Sequence, residues 1–164
     1  LCAGVPGTAD IVLGTFGKSL GLFGSFLLLP KGFAAFFESL SSAVMHSTAM
    51  PPAHAAAVLK LLERLPLLDA ERARLRDNAV FFRTRLCELG IPTRGTAHIV
   101  AVPTGGEART THLGEQLAER GVLALAARYP TVPYDDGLLR FGLTALHTQG
   151  MLERTARLLA DLWG

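Results

Sequence analysis

Asp10-Ile11-Val12-Leu13-Gly14-Thr15-Phe16-Gly17-Lys18-Ser19-Leu20-Gly21 reads as a buried strand that stops at a polar turn. The turn carries one hydroxyl, Thr15, and one amine, Lys18, with glycines at 14, 17 and 21. The chain holds only three lysines, Lys18, Lys31 and Lys60, against thirteen arginines. A sequence that places nearly all its positive charge on arginine, yet sets a lysine just after an apolar strand, points to an amine that can lose its proton. Lysine does so when desolvated and arginine does not. Such an amine is a nucleophile toward carbonyl compounds, with which it forms Schiff bases.

Two other readings stand beside this one. A lysine at a strand end can simply snorkel into water and carry no function. Gly17-Lys18-Ser19 also has the form of the end of a phosphate-binding P-loop. That motif requires a glycine five residues before Gly17, where Val12 stands, so the P-loop is set aside.

Composition bounds the rest. The 164 residues are 49% hydrophobic and 18% charged, enough to bury a core and far from a disordered segment. Net charge is +2 with the basic residues dispersed, which argues against a nucleic-acid groove. Cys2 and Cys87 are too few and too far apart for a disulfide framework or a zinc site, and fit a reducing, cytoplasmic setting. No signal-peptide pattern is visible, and the apolar run Leu20 to Leu29 is half the length of a membrane span before Pro30-Lys31 stops it.

Along the chain, Leu1 to Ala9 reads as a loop with no partner segment before it, as if the chain began in mid-fold. Asp10 to Gly14 and Ser25 to Leu29 read as strands, both near-continuous apolar runs of the kind found in sheets covered on both faces. Phe33 to Leu40 is a short helix. Ser41 to Met50 is small and polar, and Pro51-Pro52 opens a helix from Ala53 to about Leu65. His46, Ser47 and Thr48 therefore precede a helix N-terminus, a place for an anion or, more plainly, for an N-cap.

Asp69 to Leu89 is a long amphipathic helix with an apolar stripe at Leu75, Ala79, Phe82 and Leu86; Arg72, Arg76, Arg83 and Arg85 lie off it, solvated, and Gly90 caps it. Ala97 to Pro103 is a strand, Thr110 to Arg120 a helix capped by Gly121, and Val122 to Ala126 a strand. His98 and His112 are lone histidines, structural or superficial. A turn at Asp135-Asp136-Gly137 leads into a strand containing Arg140, then a helix capped by Thr148 that runs from Met151 to Trp163. A guanidinium in an apolar strand needs a partner. Either Asp135 or Asp136 supplies it, or a ligand carboxylate does, gripped by two parallel hydrogen bonds.

Three stretches resemble one family. Asp10-Ile11-Val12-x-Gly14-Thr15-Phe16-Gly17-Lys18-Ser19-x-Gly21 is similar to the lysine segment of the α-oxoamine synthases, fold-type I pyridoxal-phosphate enzymes of the 8-amino-7-oxononanoate synthase kind. Ser47-Thr48-x-Met50-Pro51-Pro52 resembles their Pro-Pro element. Pro130-Thr131-Val132-Pro133 followed by Leu139-Arg140-x-x-Leu143-Thr144-Ala145-x-His147-Thr148 resembles their C-terminal signature. The motifs occur in family order, and the likeness runs from about Asp10 to the C-terminus. One local departure is Gly24-Ser25, where the family usually ends the turn in a glycine pair.

The resemblance implies roles. Lys18 would carry pyridoxal 5′-phosphate as the catalytic lysine, and Thr15 would contact the cofactor phosphate. Ser47 and Thr48, the latter in preference, would reach the cofactor phosphate of the other subunit in a homodimer. Arg140 would hold the substrate α-carboxylate, and His147-Thr148 would form a strand-to-helix cap.

The implied fold is α/β, the C-terminal part of a fold-type I pyridoxal-phosphate transferase. Residues 1–68 would be the remainder of the large domain and 69–164 a small C-terminal α/β domain. The implied activity condenses an amino acid with an acyl-CoA, with decarboxylation, to an α-amino ketone. The family's N-terminal portion has no counterpart here. That portion supplies the ring stacked on the pyridine and the Asp paired with its nitrogen, so the expectation is a truncated chain, inactive alone. A non-catalytic remnant that binds another subunit, or another fold-type I enzyme such as an aminotransferase, are the alternatives.

Overall fold

The computed structural model describes residues 9–164, so the loop expected over Leu1 to Ala9 falls outside the described residues except at its end. The chain divides into two compact units, one ending at Leu67 and the other Leu68–Gly164.

In the first unit, strands β1 (Val12–Thr15) and β2 (Ser25–Leu28) pair antiparallel, with Gly14 opposite Phe26 and Thr15 opposite Ser25. Helix α1 (Phe33–Leu40) follows as expected, and a short helix α2 (Ser42–Met45) forms within the small, polar stretch after it. Helix α3 (Pro52–Arg64) starts on a proline, whose missing N–H costs nothing in a first turn, and a 3-10 turn at Leu65–Leu67 ends it around Pro66. Among the described residues, the expectation of a sheet covered on both faces is not met. Leu13 and Leu27 face each other across the ribbon at 71% and 42% exposure. A covered sheet needs layers on each face, and two strands with three helices supply too few.

In the second unit, β3 (Ile99–Gly105), β4 (Leu125–Ala127) and β5 (Gly137–Gly142) form an antiparallel sheet in the order β3-β5-β4. Helices α4 (Asp69–Glu88), α5 (Glu107–Glu119) and α6 (Gln149–Trp163) pack on the sheet and on one another. The alternation of a pleated strand sends Val100 and Val102 of β3 and Leu139 and Phe141 of β5 inward. They meet Phe82 and Leu86 of α4, Leu113 and Leu117 of α5, and Leu152, Ala156 and Leu159 of α6. Phe82 meets Phe141 edge to face at 5.3 Å.

The expected stops of α4 and α5 share one geometry. Gly90 donates to the Cys87 carbonyl and Ile91 to that of Leu86; Gly121 donates to Ala118 and Val122 to Leu117. This is the Schellman arrangement, with glycine at positive φ (75° and 80°) and an apolar residue after it. It also explains why β4 begins at Leu125 rather than Val122, whose N–H is spent on the cap. Helix α5 starts at Glu107, ahead of the expected Thr110, because Gly106 in extended conformation begins the turn. Strand β3 runs past Pro103 to Gly105 through an irregularity in register, which accommodates a residue with no N–H to donate.

Two of the α4 arginines, Arg83 and Arg85, are not merely solvated. Arg83 donates to the carbonyls of Ala97 and Thr96, tying α4 to the entry of β3. Arg85 donates to Glu88 and to Glu153 of α6, both at 2.8 Å, and Arg157 donates to Glu153 at 2.6 Å. The hydrogen bonds from Arg157 and then Arg85 hold the Glu153 carboxyl below its ordinary value of 4.5.

A carboxyl lowered by folding stabilises the fold fully above its unfolded pKa and loses that contribution as pH falls through the lowered value. Between about pH 5 and pH 3 the unfolded chain binds more protons at this position than the folded one. Thermal melting across that range should therefore fall more steeply for the native chain than for Glu153→Gln. Parallel curves would show that the Arg85–Glu153–Arg157 cluster carries no pH-dependent stability.

Candidate active site

The lysine turn is built by backbone bonds. Phe16 donates to the Gly24 carbonyl at 2.9 Å, Leu22 donates back to the Phe16 carbonyl at 2.9 Å, and Gly21 donates to the Lys18 carbonyl at 3.0 Å. Phe16 is the buried anchor of this turn, its ring 5.2 Å from that of Phe26. Gly24 sits at φ 98°, and a side chain there would come within 2.6 Å of the Met50 methyl. Ser25, standing where the family's second glycine would be, enters β2 directly as the partner of Thr15, so the departure leaves the ribbon intact.

Lys18 lies at the tip of the turn and is exposed, and its side chain makes no hydrogen bond or ion pair among the described residues. Among the described residues, the expectation of a desolvated amine is therefore not met. A tight turn at the end of a two-stranded ribbon projects its tip into solvent, and nothing described folds over it. The Thr15 hydroxyl donates to the Gly24 carbonyl at 3.2 Å and accepts from the Gly17 amide at 3.1 Å. Its single proton is spent on closing the turn.

Ser47 and Thr48 do not cap α3, whose N-cap is Pro51 with no side-chain hydrogen bond. The Ser47 hydroxyl turns back to the Val44 carbonyl at 3.2 Å, finishing α2. Thr48 is exposed, and its hydroxyl has no partner among the described residues. Three contacts join this segment to the lysine turn: the Met50 methyl against Gly24, the ring of His54 against the turn's Phe23, and His54 Nε2 with the Phe23 carbonyl. His54 was not singled out from sequence, since one histidine in an alanine-rich helix carries no pattern.

Arg140 belongs to the second unit. It lies on the central strand β5, opposite Ala101 and Leu125, on the face turned away from Leu139 and Phe141. It is exposed rather than buried, so its charge is solvated and the strand around it is apolar on one face only. Neither expected carboxylate pairs with it. Asp136 takes both oxygens to Arg94 at 3.0 Å, which raises the Arg94 pKa further. Asp135 sits in the turn at φ 60°. Among the described residues Arg140 has no ion-pair partner.

The segment after β5 is held by a residue missed in the sequence. Asn78, buried on α4, donates its amide to the carbonyls of Thr144 at 3.1 Å and His147 at 2.8 Å. The His147 ring accepts from the Thr144 amide at 3.1 Å, and Thr148 caps α6 by accepting from Met151 at 3.2 Å, as expected. A polar residue inside the α4 stripe was the available signal. His98 and His112 are both exposed; the His98 carbonyl accepts from the Leu143 amide at 3.0 Å, a backbone role.

Comparisons with known proteins bear on this arrangement. A family model described as aminotransferase class I and II matches residues 2–159. The 8-amino-7-oxononanoate synthase of Gluconacetobacter diazotrophicus is 35% identical over 156 residues, 94% of this chain and 39% of its own length. A Desulfosudis oleivorans protein given that name provisionally is 37% identical over 165 residues, 100% of this chain and 41% of its own. Serine palmitoyltransferase of Sphingomonas wittichii superposes with a TM-score of 0.86 at 25% identity, covering 94% of this chain and 39% of that one. The 8-amino-7-oxononanoate synthase of Francisella tularensis gives 0.81 at 22% identity over 92% and 44%, a likeness of fold. The chain thus spans well under half the length of the curated relatives it matches. No helix among the described residues is long and apolar enough to cross a membrane.

Replacing Asn78 by Ala leaves two carbonyls of the 144–147 turn without their donor. The expected cost is about 1–3 kcal/mol in urea unfolding with the slope unchanged, together with faster amide exchange at Thr144 and Leu146. Native-like stability would mean the turn is held by other contacts.

Proposed function

Because the chain belongs to the aminotransferase class I and II family, on its α-oxoamine synthase branch, we propose that it forms part of an acyltransferase acting on an amino acid and an acyl-CoA. In this reading the first unit is the end of the large, cofactor-binding domain and the second is the small C-terminal domain. Pyridoxal phosphate is the cofactor of this family.

The donor set fits that group. An amine at the tip of a tight turn suits an aldehyde. The hydroxyls of Thr15, Ser47 and Thr48, all in the first unit, suit a phosphate. Thr48 is free to donate as it stands, whereas Thr15 must first release the Gly24 carbonyl. When bound, pyridoxal phosphate supplies the electron sink for bond breaking at the amino-acid Cα. Lys18 would hold the group through its aldehyde, and its Nζ, once free, would serve as the general base for the amino-acid Cα proton. That role needs a dry amine, so residues beyond those described must cover Lys18. Arg140 grips the α-carboxylate with paired N–H groups and orients the Cα–H bond. Overall, an amino acid and an acyl-CoA give an α-amino ketone, CO2 and free CoA.

The single observation that carries this reading is Arg140. It is an exposed guanidinium on the middle strand of a sheet, with no ion-pair partner among the described residues while the nearby Asp136 is committed to Arg94. A guanidinium left uncommitted in this way is available to a ligand carboxylate.

A second reading is a module of the same fold that binds another subunit without catalysis. The exposed pair Leu13 and Leu27 on the β1–β2 ribbon favours it. Sedimentation of the chain without cofactor separates the two, since stable dimerisation with no uptake of pyridoxal phosphate supports the module alone.

Borohydride reduction in the presence of pyridoxal phosphate should add a phosphopyridoxyl group to the peptide carrying Lys18, and Lys18→Ala should abolish it. Equal cofactor retention by that variant would sink the catalytic reading. Arg140→Gln should keep the Lys18 label but weaken amino-acid binding by about ten- to a hundredfold, the worth of a paired charge-assisted hydrogen bond. Unchanged binding would remove Arg140 from the site.

A further inference from the structure

The hydroxyls of the first unit proposed for cofactor phosphate lie on separate pieces of chain. Lys18 and Thr15 are on the turn between β1 and β2, while Ser47 and Thr48 precede α3, more than twenty residues later. A site assembled from separate segments needs something to keep them in register. Sheet hydrogen bonds do not do so, since among the described residues the ribbon pairs only with itself. Helix capping does not either, since Pro51 offers no side-chain donor or acceptor.

One side chain bridges the two. His54, in the first turn of α3, places Nε2 2.6 Å from the backbone carbonyl oxygen of Phe23. A carbonyl oxygen only accepts, so Nε2 carries the hydrogen and His54 is the donor. Its ring also meets the Phe23 ring edge-on, with centroids 6.0 Å apart. Phe23 is the residue before Gly24, whose carbonyl receives both the Phe16 amide and the Thr15 hydroxyl. On the other side of Gly24 lies the Met50 methyl, two residues beyond Thr48. The turn is thus gripped at consecutive residues by the two ends of the Met50–His54 segment.

We infer that His54 is a positioning residue, which locks the lysine-bearing turn to the start of α3 and so fixes Lys18 and Thr15 relative to Ser47 and Thr48. The inference rests on the function proposed above. If Ser47 and Thr48 serve the cofactor of a second copy, the same bond links the lysine turn of one site to the phosphate donors of the other. His54 touches neither cofactor nor substrate in this account. It acts through the Phe23 carbonyl.

Three variants isolate the hydrogen bond. His54→Phe keeps a ring against Phe23 and removes the donor. His54→Gln sets an amide N–H where Nε2 stood. His54→Asn, which falls short of the carbonyl, replaces the Phe variant if that one fails to refold. Two readouts apply to the whole chain: spectral titration with pyridoxal phosphate, and hydrogen exchange of the 16–24 peptide. The Phe variant should bind pyridoxal phosphate about three- to tenfold more weakly and exchange faster over 16–24, matching one lost hydrogen bond. The Gln variant should restore both. Native binding and native exchange in the Phe variant would overturn the inference. If the native chain takes up no pyridoxal phosphate, the proposed function falls. The exchange rates then still decide whether His54 holds the turn.

Discussion

Strand β5 has to serve two environments at once, and the second unit is built on how it does so. Successive side chains of a pleated strand leave on opposite faces. Leu139 and Phe141 enter the core, where Phe82, Leu117 and Leu159 are fully buried around them. Arg140, between them, has no choice but to face the other way. The apolar neighbours that make the position look buried are the ones that drive it out. Truncating a fully buried Phe such as Phe82 costs about 3–5 kcal/mol, so this register is strongly enforced. A one-residue slip would bury the guanidinium and expose both apolar neighbours. The orientation of the carboxylate-binding candidate is a by-product of core packing.

The same economy governs the lysine turn. The buried ring of Phe16 anchors it, backbone bonds to Gly24 and Leu22 close it, and the Thr15 hydroxyl completes it from within. Lys18 is left at the tip with its amine uncommitted. The Thr15 hydroxyl shows a tension between folding and binding: the proton that stabilises the turn is the one a phosphate would need. Exchanging one acceptor for another costs little net free energy, since hydrogen bonds are replaced rather than lost.

Much of the fold was legible because it rests on local rules. Glycine after a helix and an apolar residue after that marked both Schellman stops, at Gly90 and Gly121. Thr148 marked the start of α6. Errors arose where a local pattern was ambiguous. An apolar run cannot tell a strand covered on two faces from one covered on fewer, which is why the β1–β2 ribbon was read as more buried than it is. The dryness of Lys18 was inferred from its apolar approach, but burial depends on what lies over a turn and not on what leads into it.

Sequence alone determined the membership of this chain in its family, the order of its helices and strands, and which amine, hydroxyls and guanidinium are available for chemistry. Membership and the candidate groups follow from the resemblance of three motifs, and the order of the longer elements from capping and periodicity, which act over a few residues. Tertiary structure decided how those groups are engaged: that Asp136 pairs with Arg94 and leaves Arg140 without a carboxylate, and that Asn78 and His54 brace the segments flanking the candidate groups. Each of these joins residues dozens of positions apart, and such pairings are set only when packing brings distant backbone and side chains within hydrogen-bond reach.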